Sequence, residues 1–400
     1  MKYHFIPSLA QGTVQAPPSK SMAHRALFCA ALAEGESRIG PVAPSEDMLA
    51  TMDVLSALGA SFTRDGDFVL VQGTNCLHPA KQTAFCRESG STLRFCVPLC
   101  LLSGKTITLT GTGRLMERPM GVYEALCREK GFLYSQTAEG ITLCGALQSG
   151  EYHIPGNVSS QFITGLLLAL PLLSGDSVLH VTGSLESAAY VDMTLQAMAD
   201  FGVTVSRQGN DFYIPGSCRY ISRDYTVEGD HSNTAFLDGF SLLGGTVHVE
   251  GLREDSLQGD RVYRQIYTAL QNGCPTIDIK DCPDLGPVVM ALAAAKNGAV
   301  LTGTSRLKLK ESDRGLAMAE ELAKCGVPLT LEENRILVPG GNLQPPESVI
   351  SGHNDHRIVM AMSLLLSRLG GTLEGAEAVN KSYPDFFAVI KKLGIEVVEE

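Results

Sequence analysis

The chain has 400 residues, 44% of them hydrophobic and 19% charged, and its formal net charge is −11. This negative balance argues against a nucleic acid or an anionic membrane as the partner, while the length predicts two domains, each with its own core. The eleven cysteines include no Cys-x-x-Cys pair, and the first residues lack the apolar core of a signal peptide, so we expect a cytoplasmic protein without disulfides or membrane spans.

Six times along the chain the same pattern returns: a strand, a polar turn, an apolar helix, a glycine, a strand and a second helix that ends near a glycine. The repeats are longer than those of most open solenoids, and neither end carries a polar capping repeat, so two closed groups of three repeats fit better. The predicted first helices of the six repeats span residues 21–33, 91–103, 160–174, 232–243, 286–297 and 356–369.

Most of the second helices are followed by β signals. The Asp65-Gly66 pair lies between alternating apolar residues, which predicts a hairpin, and similar patterns follow at 204–214 and 329–338. Strands that alternate with helices predict an α/β (α+β) architecture with right-handed crossovers. The fourth repeat lacks a clear hairpin, and the irregular stretch 216–224 offers a natural break between the two groups of three.

The turns before the first helices hold most of the unusual polar residues. A helix N-terminus exposes unpaired N–H groups and a partial positive charge, so ordinary capping explains Ser, Asp and Asn there. Capping does not explain cations in the first turn, because they oppose the helix dipole. The six turns hold four such cations, Lys20, Arg25, Arg94 and Arg357, which indicates that an external anion binds there. For Arg25 and Arg94, a solvated helix face is the alternative.

Two further loops carry dense charge. Residues 111–119, with Arg114, follow the second strand of repeat two, and residues 305–314 hold the same place in repeat five. Alternating lysines in the second loop are typical of the outer face of a strand. Lys310 beside Glu311 at a helix start also suits a substrate clamp, so both interpretations stay open from the residues alone.

The remaining motifs indicate ordinary structural roles or fail to match a known binding motif. The turn with Lys381 holds the same place in repeat six, where an ordinary helix start explains it as well. The Gly-Lys-Thr run at 104–106 lacks the earlier glycine of a phosphate loop. His353 and His356 lie three residues apart without a further evident ligand, so we expect no metal site and no cofactor.

Six spaced motifs carry a resemblance to a known family. They are Pro18-Ser-Lys-Ser-x-x-x-Arg25, Gly113-Arg-x-x-Glu-Arg-Pro119, Ser159-Ser-Gln-Phe162, Lys310-Glu-x-Asp-Arg314, Asn354-Asp-His-Arg357 and Lys381-Ser-x-Pro-Asp385. In this order they resemble the 5-enolpyruvylshikimate-3-phosphate (EPSP) synthases over essentially the whole chain. The resemblance implies transfer of the enolpyruvyl group of phosphoenolpyruvate to the 5-hydroxyl of shikimate 3-phosphate, with release of phosphate, in the shikimate pathway to chorismate and aromatic amino acids.

The resemblance also implies a fold and a set of partners. The family has two domains of three repeated βαβαββ units each, an inside-out α/β barrel, with the active site in the cleft between them. On this chain the domains would be 14–226 and 1–13 plus 227–400. The implied partners are the two small-molecule substrates, without nucleic acid, membrane or cofactor, and we expect a monomer.

The matching positions imply roles for individual residues. The expected catalytic residues are Lys20, Asp284 and Glu311. Those expected to bind shikimate 3-phosphate are Lys20, Ser21, Arg25, Ser159, Ser160, Gln161, Ser187, Tyr190, Asp284 and Lys310. Those expected to bind phosphoenolpyruvate are Lys20, Gly90, Arg94, Arg114, Gln161, Arg314, His356, Arg357 and Lys381. In this scheme Asp284 takes the proton of the attacking hydroxyl, Glu311 serves the methylene carbon, and Lys20 shares that task or protonates the departing phosphate.

The chain departs from the family pattern at three places. Residues 88–91 read Glu-Ser-Gly-Ser where the family often has Asn-Ala-Gly-Thr, so the resemblance does not determine the phosphoenolpyruvate contacts there or the response to the analogue glyphosate. Ala189 stands in place of a common Pro before Tyr190, and Arg306 stands where Asn is frequent.

Two other functions compete with this one. UDP-N-acetylglucosamine enolpyruvyl transferases have a similar fold but generally carry a reactive cysteine in the loop that corresponds to 111–119, and this loop has none. A non-catalytic sugar-phosphate binding protein with this fold would not need Asp284 or Glu311 near its ligand.

Overall fold

The structure is a computed structural model that describes residues 1–74 and 79–400. The chain divides into a central unit, Pro18–Val227, and a terminal unit, Met1–Pro17 together with Glu228–Glu400. The first boundary therefore falls four residues later than the expected 13/14. The reason is that a strand at Gln11–Gln15 pairs in parallel with a strand of the terminal unit and so belongs to that unit.

Helices recur along the described residues with the expected spacing. The α-helices are α1 (Lys20–Leu32), α2 (Glu46–Ala57), α3 (Gly90–Leu102), α4 (Gly121–Lys130), α5 (Ser160–Ala169), α6 (Ala188–Asp200), α7 (His231–Leu242), α8 (Tyr263–Asn272), α9 (Gly286–Ala295), α10 (Arg314–Lys324), α11 (His356–Leu369) and α12 (Phe386–Lys392). Helix α5 ends earlier than predicted, because Pro171 has no N–H to continue the α-helix and a 3₁₀ turn, Leu170–Leu172, follows.

Strands alternate with these helices, so the α/β class expected from the sequence is confirmed. The strands are β1 (Lys2–Phe5), β2 (Gln11–Gln15), β3 (Ala33–Gly40), β4 (Ser61–Asp65), β5 (Phe68–Gly73), β6 (Thr83–Phe85), β7 (Ile107–Thr110), β8 (Leu133–Gln136), β9 (Gly140–Cys144), β10 (Glu151–Pro155), β11 (Ser177–Thr182), β12 (Ser206–Gln208), β13 (Asp211–Ile214), β14 (Tyr220–Ile221), β15 (Asp224–Thr226), β16 (Thr246–Glu250), β17 (Thr276–Asp278), β18 (Ala299–Thr302), β19 (Thr330–Glu332), β20 (Arg335–Val338), β21 (Ile350–Ser351), β22 (Gly371–Glu374) and β23 (Val397–Glu399).

One sheet topology is repeated in both units. In the central unit the sheets run β6-β7-β9-β8 and β10-β11-β13-β12, and in the terminal unit one runs β17-β18-β20-β19. The first two strands of each sheet are parallel, so a helix must cross over between them, and the last two form an antiparallel hairpin. The predicted hairpins β4–β5, β12–β13 and β19–β20 are present.

The remaining sheets take strands from distant parts of the chain. Strands β14 and β15 both pair in parallel with β3, and β1 lies between β22 and β23. The stretch 216–224, expected to be an irregular break, thus carries β14 and the start of β15. The expectation was wrong because the edge of β3 offers backbone partners that no local sequence pattern reveals.

The first helices of the repeats form the two cores. Every residue of α9 from Gly286 to Ala294 is buried, and α3 and α5 are buried nearly as completely. Helices that are apolar on every side lie inside a core, whereas α8 and α10 bury only one face. The polar turns identified in the sequence therefore lie at the N-terminal ends of these buried helices.

Candidate active site

Helix α1 begins at Lys20. Ser19 caps the helix, and its hydroxyl accepts the backbone N–H of Met22 at 3.4 Å. The Lys20 Nζ lies 2.7 Å from Asp47 Oδ2, and both side chains are mostly buried. Asp47 thus compensates a cation that the helix dipole disfavours.

Arg25 is held by uncharged oxygens. Its side chain is 3% exposed, and its guanidinium donates to Thr194 Oγ1 at 2.9 Å and to the backbone oxygens of Ser21 at 2.7 Å and Tyr190 at 2.8 Å. Burial lowers the pKa of Arg25 to about 10. A buried positive charge that hydrogen-bonds only neutral groups favours an approaching anion.

Arg94 joins the N-termini of α3 and α5. It donates to Gln161 Oε1 at 2.6 Å and to the Pro119 oxygen at 3.2 Å. Gln161 in turn donates to Ser91 Oγ at 2.8 Å, and its own N–H is capped by Ser159 Oγ at 3.3 Å. Two helix N-termini and a guanidinium thus share one cluster of polar groups.

Gly90 leaves room for a second guanidinium. A Cβ at Gly90 would lie 2.6 Å from Arg118 Nη1 and 3.3 Å from Arg94 Nη1, so both arginines approach the first residue of α3. Sequence reasoning did not single out Arg118, which is part of the quoted 113–119 motif. Its buried position next to a helix N-terminus marks it as a further candidate for anion binding.

The other expected residues of the central unit divide into two groups. Ser187 precedes α6 in a left-handed conformation (φ 56°), and the backbone oxygen of Tyr190 in α6 accepts from Arg25. Ser160 is buried at the start of α5. Arg114 is more exposed than these residues: 52% of its side chain is accessible, and its Nε lies 3.4 Å from Glu117 Oε2.

Asp284 lies beside three cationic side chains of the terminal unit. It lies in a 3₁₀ turn before α9, and its Oδ1 accepts from Lys310 Nζ at 3.0 Å and from Arg314 Nη1 at 2.8 Å. Arg357 Nη2 lies 3.7 Å from Oδ2. Burial alone would raise the pKa of Asp284, but Lys310, Arg314 and Arg357 hold it well below its ordinary 3.8. Asp284 is therefore ionised and able to accept a proton.

Arg314 contacts three carboxylates. Its side chain is 1% exposed, and besides Asp284 it donates to Glu311 Oε2 and to Asp355 Oδ2, both at 2.9 Å. Although burial opposes the charged form, these carboxylates raise the pKa of Arg314 further above its ordinary range. Lys310, Glu311, Arg314, Asp284 and Arg357, all expected from the sequence, thus form one network.

Asp355 belongs to the quoted 354–357 motif, but sequence reasoning gave it no role of its own. It is fully buried and caps α11 by accepting the Arg357 N–H at 2.9 Å, while Ser312 Oγ donates to it at 3.0 Å. The available signal was an Asp directly before a predicted helix, which had been explained as an ordinary cap. Its contact with Arg314 comes from another helix and leaves no local signal.

The start of α11 completes the network. Arg357 donates to Asn233 Oδ1 at 3.2 Å, and buried His356 has its Nδ1 3.7 Å from Asp355 Oδ1. Lys381 Nζ donates to the Asn354 backbone oxygen at 2.6 Å. His356, Arg357 and Lys381 therefore lie together around the N-terminus of α11.

A second buried carboxyl group, Asp260, faces the same region. It is 3% exposed, and burial, with the charge of Asp284 adding to it, raises its pKa to about 7, while Arg357 acts in the opposite sense. No local sequence pattern marks Asp260, because Asp284 and Arg357, the charges that act on it most, come from other repeats.

The comparisons with known proteins agree on one family. The family model described as EPSP synthase (3-phosphoshikimate 1-carboxyvinyltransferase) matches residues 6–390. A Clostridium kluyveri protein named 3-phosphoshikimate 1-carboxyvinyltransferase is 40% identical, covering 100% of this chain and 99% of its own length. A Clostridium novyi protein of the same name is 38% identical, covering 97% and 96%.

The solved structures agree in fold. An EPSP synthase from Acinetobacter baumannii superposes with a TM-score of 0.77 at 23% identity and covers all of both chains. In the part of the chain that the structure describes, no helix is long and apolar enough to cross a membrane.

Proposed function

Since the chain belongs to the EPSP synthase family, we propose that its own residues carry out the transfer of the enolpyruvyl group from phosphoenolpyruvate to the 5-hydroxyl of shikimate 3-phosphate. The activity is that of a shikimate-pathway transferase, and the family match over residues 6–390 is the observation that carries it. The family match and the names of the relatives favour this acceptor over the UDP-sugar acceptor of the sister family. We further propose that the protein is a cytoplasmic monomer.

The central unit supplies the anion-binding groups for shikimate 3-phosphate. Arg25 is the strongest candidate, because its buried charge hydrogen-bonds three neutral oxygens among the described residues. Hydroxyl groups and N–H groups at helix N-termini accompany it and suit the oxygens of a phosphate. We assign to this ligand Lys20, Ser21, Arg25, Ser159, Ser160, Gln161, Ser187 and Tyr190 from the central unit, and Asp284 and Lys310 from the terminal unit.

Phosphoenolpyruvate carries a carboxylate and a phosphate, and the planar guanidinium forks of arginine bind both. In the central unit Arg94 lies beside Gly90, and Arg118 reaches the same place. In the terminal unit Arg314 and Arg357 lie at the starts of α10 and α11. We assign to phosphoenolpyruvate Lys20, Gly90, Arg94, Arg114, Gln161, Arg314, His356, Arg357 and Lys381, and we add Arg118.

The reaction is an addition followed by an elimination. The 5-oxygen forms a bond to C2 of phosphoenolpyruvate as its proton leaves to Asp284, and the C3 methylene gains a proton to become a methyl group. The C2–O bond to phosphate then breaks, the methyl group returns its proton, and the phosphate leaves. Glu311 serves the C3 proton, and Lys20 shares that task or protonates the phosphate. Positioned acid–base groups of this kind contribute about 10²- to 10⁴-fold each.

Bound anions adjust the acid–base groups to this task. In the free protein the cations around Asp284 hold its pKa well below 3.8, which makes it a weak base. Two anionic substrates partly neutralise Lys310, Arg314 and Arg357, so the pKa of Asp284 rises when both are bound. Its basicity thus increases in the complex that reacts.

The direct test is phosphate release. Purified protein is mixed with shikimate 3-phosphate and phosphoenolpyruvate together, with each alone, and with UDP-N-acetylglucosamine as the alternative acceptor. We expect phosphate only when shikimate 3-phosphate and phosphoenolpyruvate are both present. Release with the UDP-sugar instead, or none with any combination, would refute the assignment.

A further inference from the structure

A buried carboxylate lies behind the network in the terminal unit. Glu321, near the C-terminal end of α10, is 1% exposed. It hydrogen-bonds His353 Nε2 at 2.7 Å and accepts from the Ser351 N–H at 3.0 Å and Lys324 Nζ at 2.8 Å. Burial alone would raise the pKa of Glu321, yet these hydrogen bonds lower it. The group is an ionised anchor for the segment that contains Ser351 and His353.

That segment leads directly into the site. His353 (φ 48°) and Asn354 (φ 51°) are two consecutive left-handed residues without being glycine, a conformation that persists only where contacts hold it. The Asn354 oxygen accepts from Lys381, and the next residues are the buried cap Asp355 and the start of α11. The position of Lys381 and of the helix N-terminus therefore depends on this strained turn.

Helix α10 holds the turn from both of its ends. At its start Arg314 donates to Asp355 at 2.9 Å, and near its last turn Glu321 binds His353 and the Ser351 backbone. Removing the contacts at Glu321 takes away the hydrogen bonds that hold His353 and the Ser351 backbone, which weakens the support of the left-handed residues.

We propose that Glu321 and His353 are positioning residues for the phosphoenolpyruvate-binding part of the site. Neither is assigned to either substrate. They act by fixing residues 351–355, which in turn set Lys381 and Arg357. This inference rests on the proposed function, because it concerns how well that function's second substrate is bound.

The test compares two histidines that are each paired with a carboxylate. His353→Ala removes the proposed contact. His180→Ala is the matched control: His180 Nδ1 lies 2.8 Å from Asp211 Oδ1 on paired strands of the central unit, with no proposed link to the site. Steady-state kinetics are measured well below the unfolding temperature of each variant, with each substrate varied in turn. His353→Gln, which restores an N–H donor, serves as the rescue.

We expect His353→Ala to raise the KM for phosphoenolpyruvate about ten- to hundredfold. The KM for shikimate 3-phosphate should change much less, His353→Gln should recover part of the loss, and His180→Ala should match the wild type. Equal rises for both substrates, or no rise beyond that of His180→Ala, would overturn the proposal. An inactive wild type would instead refute the proposed function.

A chelator separates the hydrogen bond from a metal ion. Glu320 Oε2 lies 3.7 Å from His353 Nε2, so Glu320, Glu321 and His353 together offer the ligand atoms of a divalent ion. We expect dialysis against a chelator to leave the KM for phosphoenolpyruvate unchanged. A rise reversed by added zinc would mean that an ion, rather than the hydrogen bond, holds the turn.

Discussion

Two buried arginines, each in the first turns of a helix, have opposite surroundings in the two units. Arg25 of the central unit donates to three neutral oxygens, and burial lowers its pKa to about 10. Arg314 of the terminal unit donates to three carboxylates, which raise its pKa. Among the described residues Arg25 thus has neutral hydrogen-bond partners, whereas Arg314 is part of a network of carboxylates.

This difference separates two roles of a buried arginine, namely anion binding and the support of acid–base groups. An uncompensated buried cation costs free energy in the unliganded protein and recovers it when an anion binds. A cation among carboxylates instead holds those carboxylates ionised and in place, as acid–base chemistry requires. Lys20 is the exception in the central unit, because Asp47 neutralises it. We infer that Arg25 mainly binds charge, whereas the network around Arg314 mainly holds the acid–base groups.

The largest expected effect is on turnover. Asp284→Ala removes the proposed base, so kcat should fall about 10²- to 10⁴-fold while shikimate 3-phosphate still binds measurably. Asp255→Ala is a suitable control, because it removes an exposed carboxylate paired only with Arg253 within the same loop. Near-normal turnover by Asp284→Ala in a phosphate-release assay would remove this residue from the mechanism.

Replacing each arginine by methionine measures how much its surroundings contribute to the free energy of unfolding. Arg314→Met leaves three carboxylates without their buried cation and should lower the free energy of unfolding by about 3–5 kcal/mol. Arg25→Met leaves only neutral acceptors and should cost about 1 kcal/mol. Urea unfolding of both variants measures the difference, and equal losses would show that the surroundings of the two arginines do not differ in energy as described.

Asp260 allows a test through pH. Its pKa rises from 3.8 to about 7 on folding, so its contribution to stability is complete below 3.8 and is lost as the pH rises through 7. The Asp260→Asn variant cannot ionise at this position. Its free energy of unfolding relative to the wild type should therefore increase by up to about 4 kcal/mol from acidic to mildly alkaline pH. Urea unfolding at both pH values checks this, and a gain that is independent of pH would contradict the buried, protonated carboxyl group.

The smallest expected effect is at Gly90. An added methyl group would lie 2.6 Å from Arg118 Nη1 and must displace it, so Gly90→Ala should raise the KM for phosphoenolpyruvate about tenfold. Gly121→Ala is the matched control, because Gly121 also begins a helix and a Cβ there meets nothing within 4 Å. Kinetics that cannot distinguish the two variants would exclude Arg118 from the site.

The sequence predicted elements best where their signals are local. Helix α11 was predicted with both its ends, because Asp355 caps its start and Gly370 ends it with a positive φ. The strands at 220–226 were missed because they pair with β3, nearly two hundred residues earlier. Pairing at that distance depends on the whole fold rather than on propensity.

The site follows the same rule. Arg25 was visible as a cation near a helix start and Arg314 as part of the 310–314 motif, but neither signal identified their distant partners. Their partners Tyr190 and Asp355 lie 165 and 41 residues away, so only the folded chain distinguishes a charge held by neutral oxygens from one held by carboxylates. Asp260 and Arg118 were missed for the same reason.

Calorimetric titration of shikimate 3-phosphate into Arg25→Met and Asp284→Ala tests the division of work most directly. We predict that Arg25→Met weakens binding about 10- to 100-fold, while Asp284→Ala binds within a few-fold of the wild type. Strong binding of shikimate 3-phosphate by Arg25→Met together with lost binding by Asp284→Ala would contradict these separate roles of Arg25 and Asp284.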